Sequence, residues 1–162
     1  MDSKYWIEKL QLEKHPEGGY FREIYRSNDK FGGLLLPERY RKKSRTYFTI
    51  IYYLLEKEDF SVFHRLQSDE IWHFIDGCPL TICILGDKLE KRILGNGKHG
   101  SLFTVVPKLH WFGASINDKN SYSLVTCTVV PGFEYQDFEL ADREKLIMEY
   151  SQHKAVIKKL TK

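Results

Sequence analysis

The sequence predicts a single all-β domain with a short helix near each end. Many short segments rich in β-branched and aromatic residues follow one another without an intervening helical pattern, which is typical of a sandwich or barrel. Aromatic residues make up 14% of the chain, and rings fit the pleated surface of a sheet. We therefore expect one domain over residues 1–162, with the barrel over about 19–138 and a helical segment over about 141–161.

Each predicted strand is an apolar or alternating run that lies between turn signals such as Gly86-Asp87, Gly95-Asn96-Gly97 and Asn117-Asp118. The predicted strands cover residues 20–27, 46–55, 61–66, 70–75, 80–85, 89–94, 102–106, 111–115, 122–130 and 133–138. Their number and close spacing make a sandwich or barrel the expected architecture.

The terminal helices and the strand over 46–55 predict what covers the barrel. A helix over 4–10 is expected to begin after a Ser3 cap, and the C-terminal helix after an Asp142 cap. Residues 46–55 are apolar on both alternating faces, so either a helix of this chain or a second subunit must cover the outer face. Together with the aromatic surplus, this strand predicts a homodimer.

The net charge indicates which partners to expect, and the cysteines indicate the cellular compartment. The net charge is +3, from 25 basic and 22 acidic residues, which is too even to predict nucleic acid as a partner. The basic run over 39–45 is interpreted as a solvated loop, with a patch for an anionic ligand or partner as the alternative. No apolar run reaches membrane-spanning length. The three cysteines lack the spacing of a zinc or redox motif, so we expect a reducing compartment, the cytoplasm.

The densest polar cluster, over residues 64–73, contains the candidate catalytic residues. His64 ends one predicted strand and Glu70 opens the next across a short turn, so both side chains are expected to point into one barrel. Alternation places Trp72 on the same face as Glu70 and turns His73 away. An imidazole beside a carboxylate is either a general acid/base pair or two of the ligands of a metal.

The chain resembles an uncharacterised cupin family, often called cupin 5, which has an RmlC-like jelly-roll fold. His64, Glu70 and Gly77 fall at the spacings of the first cupin motif, and VVPKLHWFGA is similar to the second. The blocks HPEGGYFREIYRS, IYYLL, HRLQSDEIWHFIDG and PGFEYQDFEL also match this branch, in order along most of the chain. The resemblance implies an RmlC-like cupin jelly-roll β-barrel with a ligand pocket around His64 and Glu70.

The departures from the cupin motifs argue against a metal-dependent site. Metal-dependent cupins hold an ion with three histidines and one glutamate. Here Leu66 stands at the second histidine and Phe112 at the third, so only His64 and Glu70 match ligand positions. Catalytic sites for zinc, nickel or iron usually have at least three protein ligands. We therefore expect no cofactor, with a divalent metal on His64 and Glu70 as the less favoured alternative.

Residues in three other segments are candidates for binding the ligand. Gly19 either lets the backbone approach a ligand or supplies turn geometry. Arg22 is either a fork for a phosphate or carboxylate, or the ion-pair partner of Glu17 or Glu70. Glu134 follows a Pro-Gly turn and lies at the pocket rim or pairs with an arginine. The full set of expected ligand-binding residues is Glu17, Gly19, Arg22, Arg65, Trp72, Phe112 and Glu134.

Three functions are consistent with this sequence. The favoured one is a small-molecule-binding cupin for a sugar or sugar-nucleotide-like ligand, acting as an isomerase or epimerase. In that reaction His64 removes a proton next to a carbonyl, Glu70 orients the imidazole, and Arg22 or Arg65 holds an anionic group. The alternatives are a metal-dependent oxygenase-like cupin and a non-catalytic ligand-binding cupin. Fold alone does not separate them.

Overall fold

The computed structural model describes residues 2–162, so Met1 of the predicted domain lies outside the described residues. Its strands are β1 (Glu13–Lys14), β2 (Tyr20–Arg26), β3 (Lys30–Phe31), β4 (Arg45–Thr46), β5 (Thr49–Glu56), β6 (Phe60–Leu66), β7 (Asp69–Gly77), β8 (Leu80–Ile84), β9 (Glu90–Leu94), β10 (Phe103–Val106), β11 (Phe112–Ile116), β12 (Tyr122–Val130) and β13 (Phe138–Leu140). Its helices are α1 (Ser3–Leu10), α2 (Arg143–Glu149) and α3 (Lys154–Lys159). None of the helices within residues 2–162 is long and apolar enough to cross a membrane.

Two large antiparallel sheets form a jelly-roll sandwich. The first has the strand order β1-β2-β5-β12-β7-β10, the second has the order β13-β6-β11-β8-β9, and β3 and β4 form a separate small ladder. From β5 to β8, and again from β9 to β13, each successive strand lies in the opposite large sheet. Within residues 2–162 no ladder joins the two sheets, so the predicted barrel takes the form of a sandwich. The predicted all-β class with short terminal helices is confirmed.

The sandwich interior is filled with side chains from both sheets at one end and holds a cavity at the other. Trp72 and Val125 of the first sheet pack against Ile82, Phe112 and Ala114 of the second. This packed end lies where β8 and β11 face the first sheet, because their inward side chains are almost all aliphatic or aromatic. The cavity lies where β6 and β13 face β2 and β5.

The two outer faces of the sandwich are covered unequally. On the second sheet, Leu146 of α2 and Ile157 of α3 pack on Phe63 of β6 and neighbouring apolar side chains. On the first sheet, α1 packs only on Leu54, Leu124 and the residues around them. The second layer predicted over residues 46–55 is therefore, at Leu54, a helix of this chain. The rest of that outer face is not covered by residues 2–162.

Of three local predictions, two need correction. The cap of α1 is Asp2, whose side chain accepts a hydrogen bond from the Tyr5 backbone N–H at 2.9 Å, rather than Ser3. The predicted Asp142 cap of α2 is confirmed. The predicted strand over 133–138 is instead a 3-10 turn, Tyr135–Asp137, followed by β13. Side-chain contacts hold this segment instead of a ladder, since the Phe133 N–H donates to the Thr49 hydroxyl.

The basic run over 39–45 is not simply a solvated loop. Arg45 is 2% exposed, and its guanidinium donates two hydrogen bonds to the Asp137 carboxylate, at 2.5 and 2.7 Å. It also donates to the backbone carbonyls of Lys43 and Ser44. Arg45 therefore ties the loop before β5 to the segment before β13.

Candidate functional site

A cavity of about 130 Å³ lies between the two sheets. Its acidic lining residues are Glu17, Glu23, Glu70 and Glu134, and its basic or imidazole residues are His15, Arg26 and His64. Its aromatic lining comes from Phe21, Tyr53, Trp72, Phe133, Tyr135 and Phe138. An apolar cavity of similar size, about 150 Å³, can enclose a benzene molecule. The cavity therefore suits a compact organic ligand.

The imidazole of His64 is fixed in the cavity wall from both sides. It is 3% exposed, and its ring centroid lies 4.1 Å from that of Phe112. Its Nδ1 lies 2.7 Å from the Val62 carbonyl oxygen and 3.3 Å from Glu17 Oε2. Because a carbonyl oxygen can only accept, Nδ1 carries a proton. When His64 is neutral, Nε2 is therefore the unprotonated nitrogen.

The two carboxylates near His64 belong to different parts of the chain. Glu17 precedes β2 and accepts a hydrogen bond from the Ser61 hydroxyl at 3.1 Å. Glu70 stands in β7, and its Oε2 lies 4.0 Å from His64 Nε2. Since β6 and β7 belong to opposite sheets, His64 and Glu70 converge across the sandwich. The predicted convergence is observed, but the expected ladder between neighbouring strands is not its cause.

The surroundings of three cavity groups shift their pKa values. Burial lowers the pKa of His64, but Glu17, Glu70 and the Val62 carbonyl more than offset it and raise the pKa to about 8. Burial raises the pKa of Glu17 to about 7, although the neighbouring His64 acts in the opposite direction. Burial, followed by the charge of His64, lowers the pKa of His15 to about 4. Near neutral pH, His64 is therefore the cationic imidazole and His15 is neutral.

Glu70 and Trp72 each present a polar atom without a partner. Glu70 is 7% exposed and Trp72 is 1% exposed, and both line the cavity from β7. Glu70 Oε2 and Trp72 Nε1 make no hydrogen bond with any residue among 2–162. Buried polar atoms are normally hydrogen-bonded, so each such exception calls for an explanation. A bound ligand would supply one here.

Arg26 lies at the mouth of the cavity, where it binds two carboxylates and a backbone carbonyl. Its guanidinium donates to both carboxylate oxygens of Glu23, at 3.0 and 2.8 Å. The same group donates to Glu134 Oε1 and to the Phe133 carbonyl oxygen, both at 3.1 Å. Glu134 thus lines the cavity and pairs with an arginine, which combines the two roles considered for it. Arg26 has no hydrogen-bonding nitrogen left unengaged at this site.

Comparison with known proteins identifies the family. The family model described as Cupin superfamily (DUF985) matches residues 4–141. The chain belongs to this cupin family. A protein of known structure from Shewanella oneidensis is 38% identical, with a TM-score of 0.89, 100% of this chain covered and 98% of the other. A hypothetical protein from Leishmania major is 34% identical, with a TM-score of 0.90 and 99% of each chain covered.

More distant cupin structures share only the fold. Bacillus subtilis oxalate decarboxylase is 13% identical, with a TM-score of 0.55, and the match covers 91% of this chain and 36% of that enzyme. Comparison with curated protein sequences found no match. The relatives thus establish the cupin family and its fold for this chain, and the chemistry must be argued from the site.

The residues at the cupin metal positions do not fit a catalytic metal ion. Among residues 2–162 there is no group of three or more histidine, cysteine, aspartate or glutamate side chains able to hold one. Leu66 lines the cavity and Phe112 packs on His64, where the family motifs have histidines. His64 and Glu70 supply two ligands, fewer than such sites usually take. We assign no step of this cupin to a metal.

Four of the residues expected to bind a ligand do not line the cavity. Arg22 faces outward and donates to Gln11 Oε1 and the Leu10 carbonyl, so neither the predicted anion fork nor an ion pair with Glu17 or Glu70 forms. Arg65 pairs with Glu139 outside the cavity. Gly19 has φ +73°, and a Cβ there would lie 2.5 Å from the Leu54 carbonyl oxygen, so it serves the turn. Phe112 lies behind His64, whereas Glu17, Trp72 and Glu134 do line the cavity.

Several cavity residues were missed from the sequence, among them Tyr53, His15 and Arg26. Tyr53 lies two residues from Ile51 on the inner face of β5, so alternation could have found it. His15 lies in a turn, where its Nδ1 accepts the Glu17 N–H, and alternation says nothing about it. Arg26 should face outward by alternation, but a β-bulge between Glu23 and Tyr25 turns it inward. His73, as predicted, faces away from the cavity and is exposed.

Proposed function

We propose that this cupin binds a compact organic molecule and transfers a proton next to its carbonyl group, as an isomerase or epimerase does. The observation that carries the proposal is the fixed orientation of His64. Its Nδ1 is engaged by Val62 and Glu17, which leaves Nε2 to act on the cavity side. A base with a pKa near the working pH is the most effective for such a transfer, and the pKa of His64 is about 8.

The neighbouring residues have distinct proposed roles. Glu17 is a positioning residue, because it contacts the Nδ1 side of the ring and stabilises the imidazolium that forms during transfer. Glu70 faces Nε2 and is placed to contact the reacting part of the ligand. Trp72 forms part of the wall and Glu134 the rim. The volume of about 130 Å³ supports a ligand no larger than a small sugar, rather than a sugar nucleotide. We expect no cofactor and a cytoplasmic location.

Proton exchange with solvent tests this function without knowing the natural substrate. Hydroxyacetone is small enough for the cavity and has exchangeable protons next to its carbonyl. In D₂O at pH 8, we expect the protein to accelerate loss of those proton signals in NMR spectra. His64→Gln should lower the catalysed rate by about 100-fold or more, because positioned general bases contribute about 10²–10⁴-fold.

A matched variant controls for the general effect of losing a histidine. His110→Gln changes an exposed histidine that does not line the cavity, so it should leave the exchange rate unchanged. Exchange that is equally fast in His64→Gln would overturn the role of His64. Binding of hydroxyacetone without any acceleration of exchange would favour a non-catalytic ligand-binding cupin.

We also propose that the cupin is a homodimer that pairs through the outer face of the first sheet. The β-ladder registers place Ile50, Thr128, Ile71 and Val105 in one row across β5, β12, β7 and β10. The next row runs through Tyr52, Thr126, His73 and Phe103. These rows carry no acidic or lysine side chain, and Phe103 is 58% exposed. Such an apolar face, uncovered by α1, supports a partner of the same kind.

Light scattering coupled to size exclusion tests the dimer. The native protein should elute with twice the mass of one chain. Ile71→Lys puts a charge in the middle of the proposed interface and should give a monomer, because an unpaired buried charge is costly. Met148→Lys changes an exposed residue of α2, on the far side of the sandwich, and should stay dimeric. A native protein with the mass of one chain contradicts the proposal.

A further inference from the structure

The charges that line the cavity do not balance. Four carboxylates face it, from Glu17, Glu23, Glu70 and Glu134. Arg26 is shared by Glu23 and Glu134, so that group of three carries one net negative charge. Glu17 and the protonated His64 lie 3.3 Å apart and offset each other. Glu70 then adds a second net negative charge, because the cationic side chains that line the cavity, Arg26 and His64, already offset other carboxylates.

Glu70 marks where a positive group is missing. Its side chain is more than nine-tenths buried, and Oε2 accepts no hydrogen bond from any residue among 2–162. His64 Nε2 is 4.0 Å away, beyond hydrogen-bonding distance. A buried carboxylate oxygen that accepts no hydrogen bond is costly, and a ligand cation in contact with it reduces that cost.

Aromatic rings surround the same space. Tyr53 and Trp72 make an edge-to-face pair on the first sheet, with centroids 5.7 Å apart. Phe133 contacts Tyr135 and Phe138 at the mouth, with centroids 5.2 and 6.0 Å away. Ring faces attract cations, and sites for ammonium groups combine such rings with nearby carboxylates. The rings and the excess carboxylate therefore favour the same kind of ligand.

We infer that the cavity binds a small organic cation, with an ammonium group placed between the Glu70 carboxylate and the aromatic rings. This inference rests on the proposed function, since it names the ligand class of that site. It also means that an anionic sugar phosphate or carboxylate is the wrong class, because the net negative charge of the cavity would repel it.

Two molecules of nearly the same shape test the charge alone. Choline carries a quaternary ammonium, and 3,3-dimethyl-1-butanol has the same skeleton with a neutral carbon in its place. We expect ligand-observed NMR titration at pH 9 to show choline binding at least about tenfold more tightly, the size of a partly desolvated cation–π contact. Equal or tighter binding of the neutral molecule overturns the cation but leaves a ligand-binding cavity. No binding of either molecule at millimolar concentration also overturns the inference.

A variant pair locates the contact. Glu70→Gln keeps the shape of the side chain and should weaken choline binding by about tenfold or more, with binding of the neutral molecule unchanged. Glu139→Gln removes the same charge outside the cavity, where Glu139 pairs with Arg65, and should leave both affinities unchanged. Unchanged choline binding in Glu70→Gln contradicts the assignment. Solvent exchange with hydroxyacetone is a separate measurement, so the proton transfer can fail while the cation site stands.

The dependence of choline binding on pH gives a further check. Glu17, Glu70, His15, Tyr53 and Cys127 face the space around His64. The pKa of His64 is about 8 and that of Glu17 about 7, and loss of either proton makes the cavity more negative. Choline affinity should therefore rise several-fold between pH 6.5 and 9, and binding should lower the pKa of His64. Affinity that falls over this range contradicts a cationic ligand at this site.

Discussion

Replacing Arg45 by alanine should lower the free energy of unfolding by about 3–5 kcal/mol, because it leaves the Asp137 carboxylate buried without its partner. The side chains of Arg45 and Asp137 are 1% and 6% exposed, and the pair is bidentate. The variant also loses the hydrogen bonds to the carbonyls of Lys43 and Ser44. Urea denaturation followed by circular dichroism measures the loss.

Two further variants separate the buried charge from the loss of any ion pair. Lys119→Ala breaks the ion pair between Lys119 and Glu58, whose side chains are 68% and 74% exposed. This variant should lower the free energy of unfolding by less than about 1 kcal/mol. Arg45→Met with Asp137→Leu removes both buried charges and should recover most of the stability lost in Arg45→Ala. If Arg45→Ala unfolds at the same urea concentration as the native protein, the pair does not stabilise the fold.

Adding histidines at Leu66 and Phe112 should convert the cavity into a metal site. Phe112 pairs with His64 in the β11–β6 ladder, and its ring lies 4.1 Å from the imidazole. Leu66 lines the cavity two residues after His64 in the same strand. The double variant Leu66→His with Phe112→His would bring three imidazoles and Glu70 together. We expect affinity for Ni²⁺ or Co²⁺ to rise by at least about 100-fold over the native protein, since even outer-sphere partners are worth about 10–100-fold.

Calorimetric titration with each metal measures this gain, and circular dichroism checks that the variant is folded. Each single variant should give an intermediate affinity. Met148→His adds a histidine on the exposed face of α2 and should bind metal no better than the native protein. A folded double variant that shows no gain would mean that His64, Glu70 and the two new side chains do not converge as the backbone implies.

Much of the fold could be predicted from the sequence because strand alternation is a local property. The strand Tyr122–Val130 matches its predicted bounds, and most of the other strands agree within two residues. The predicted strand over 133–138 was wrong, because the Phe133 N–H donates to the side chain of a distant residue, Thr49, rather than to a ladder. No local pattern reports such a contact.

The site could be predicted where alternation and the cupin motifs agreed. His64, Glu70 and Trp72 line the cavity as expected. Glu17 lies in the turn before β2 and contacts His64 from there. Arg26 was missed because one bulge reverses the face of every residue after it, and a bulge leaves little trace in the sequence. Arg22 was assigned to the site for its chemistry, although strand alternation puts it on the face opposite Phe21 and Glu23.

The anchoring of Asp137 by Arg45 limits how a ligand can enter. The segment that carries Phe133, Tyr135 and Phe138 is fixed at its far end by that buried pair, so swinging the whole segment aside would require breaking it. The side chains of Arg26, Glu23 and Glu134 are about 36–41% exposed. Because water screens such ion pairs, they cost far less to separate. We therefore expect admission to the cavity to be a local event at Arg26, in which a few side chains rotate while the backbone around them stays in place.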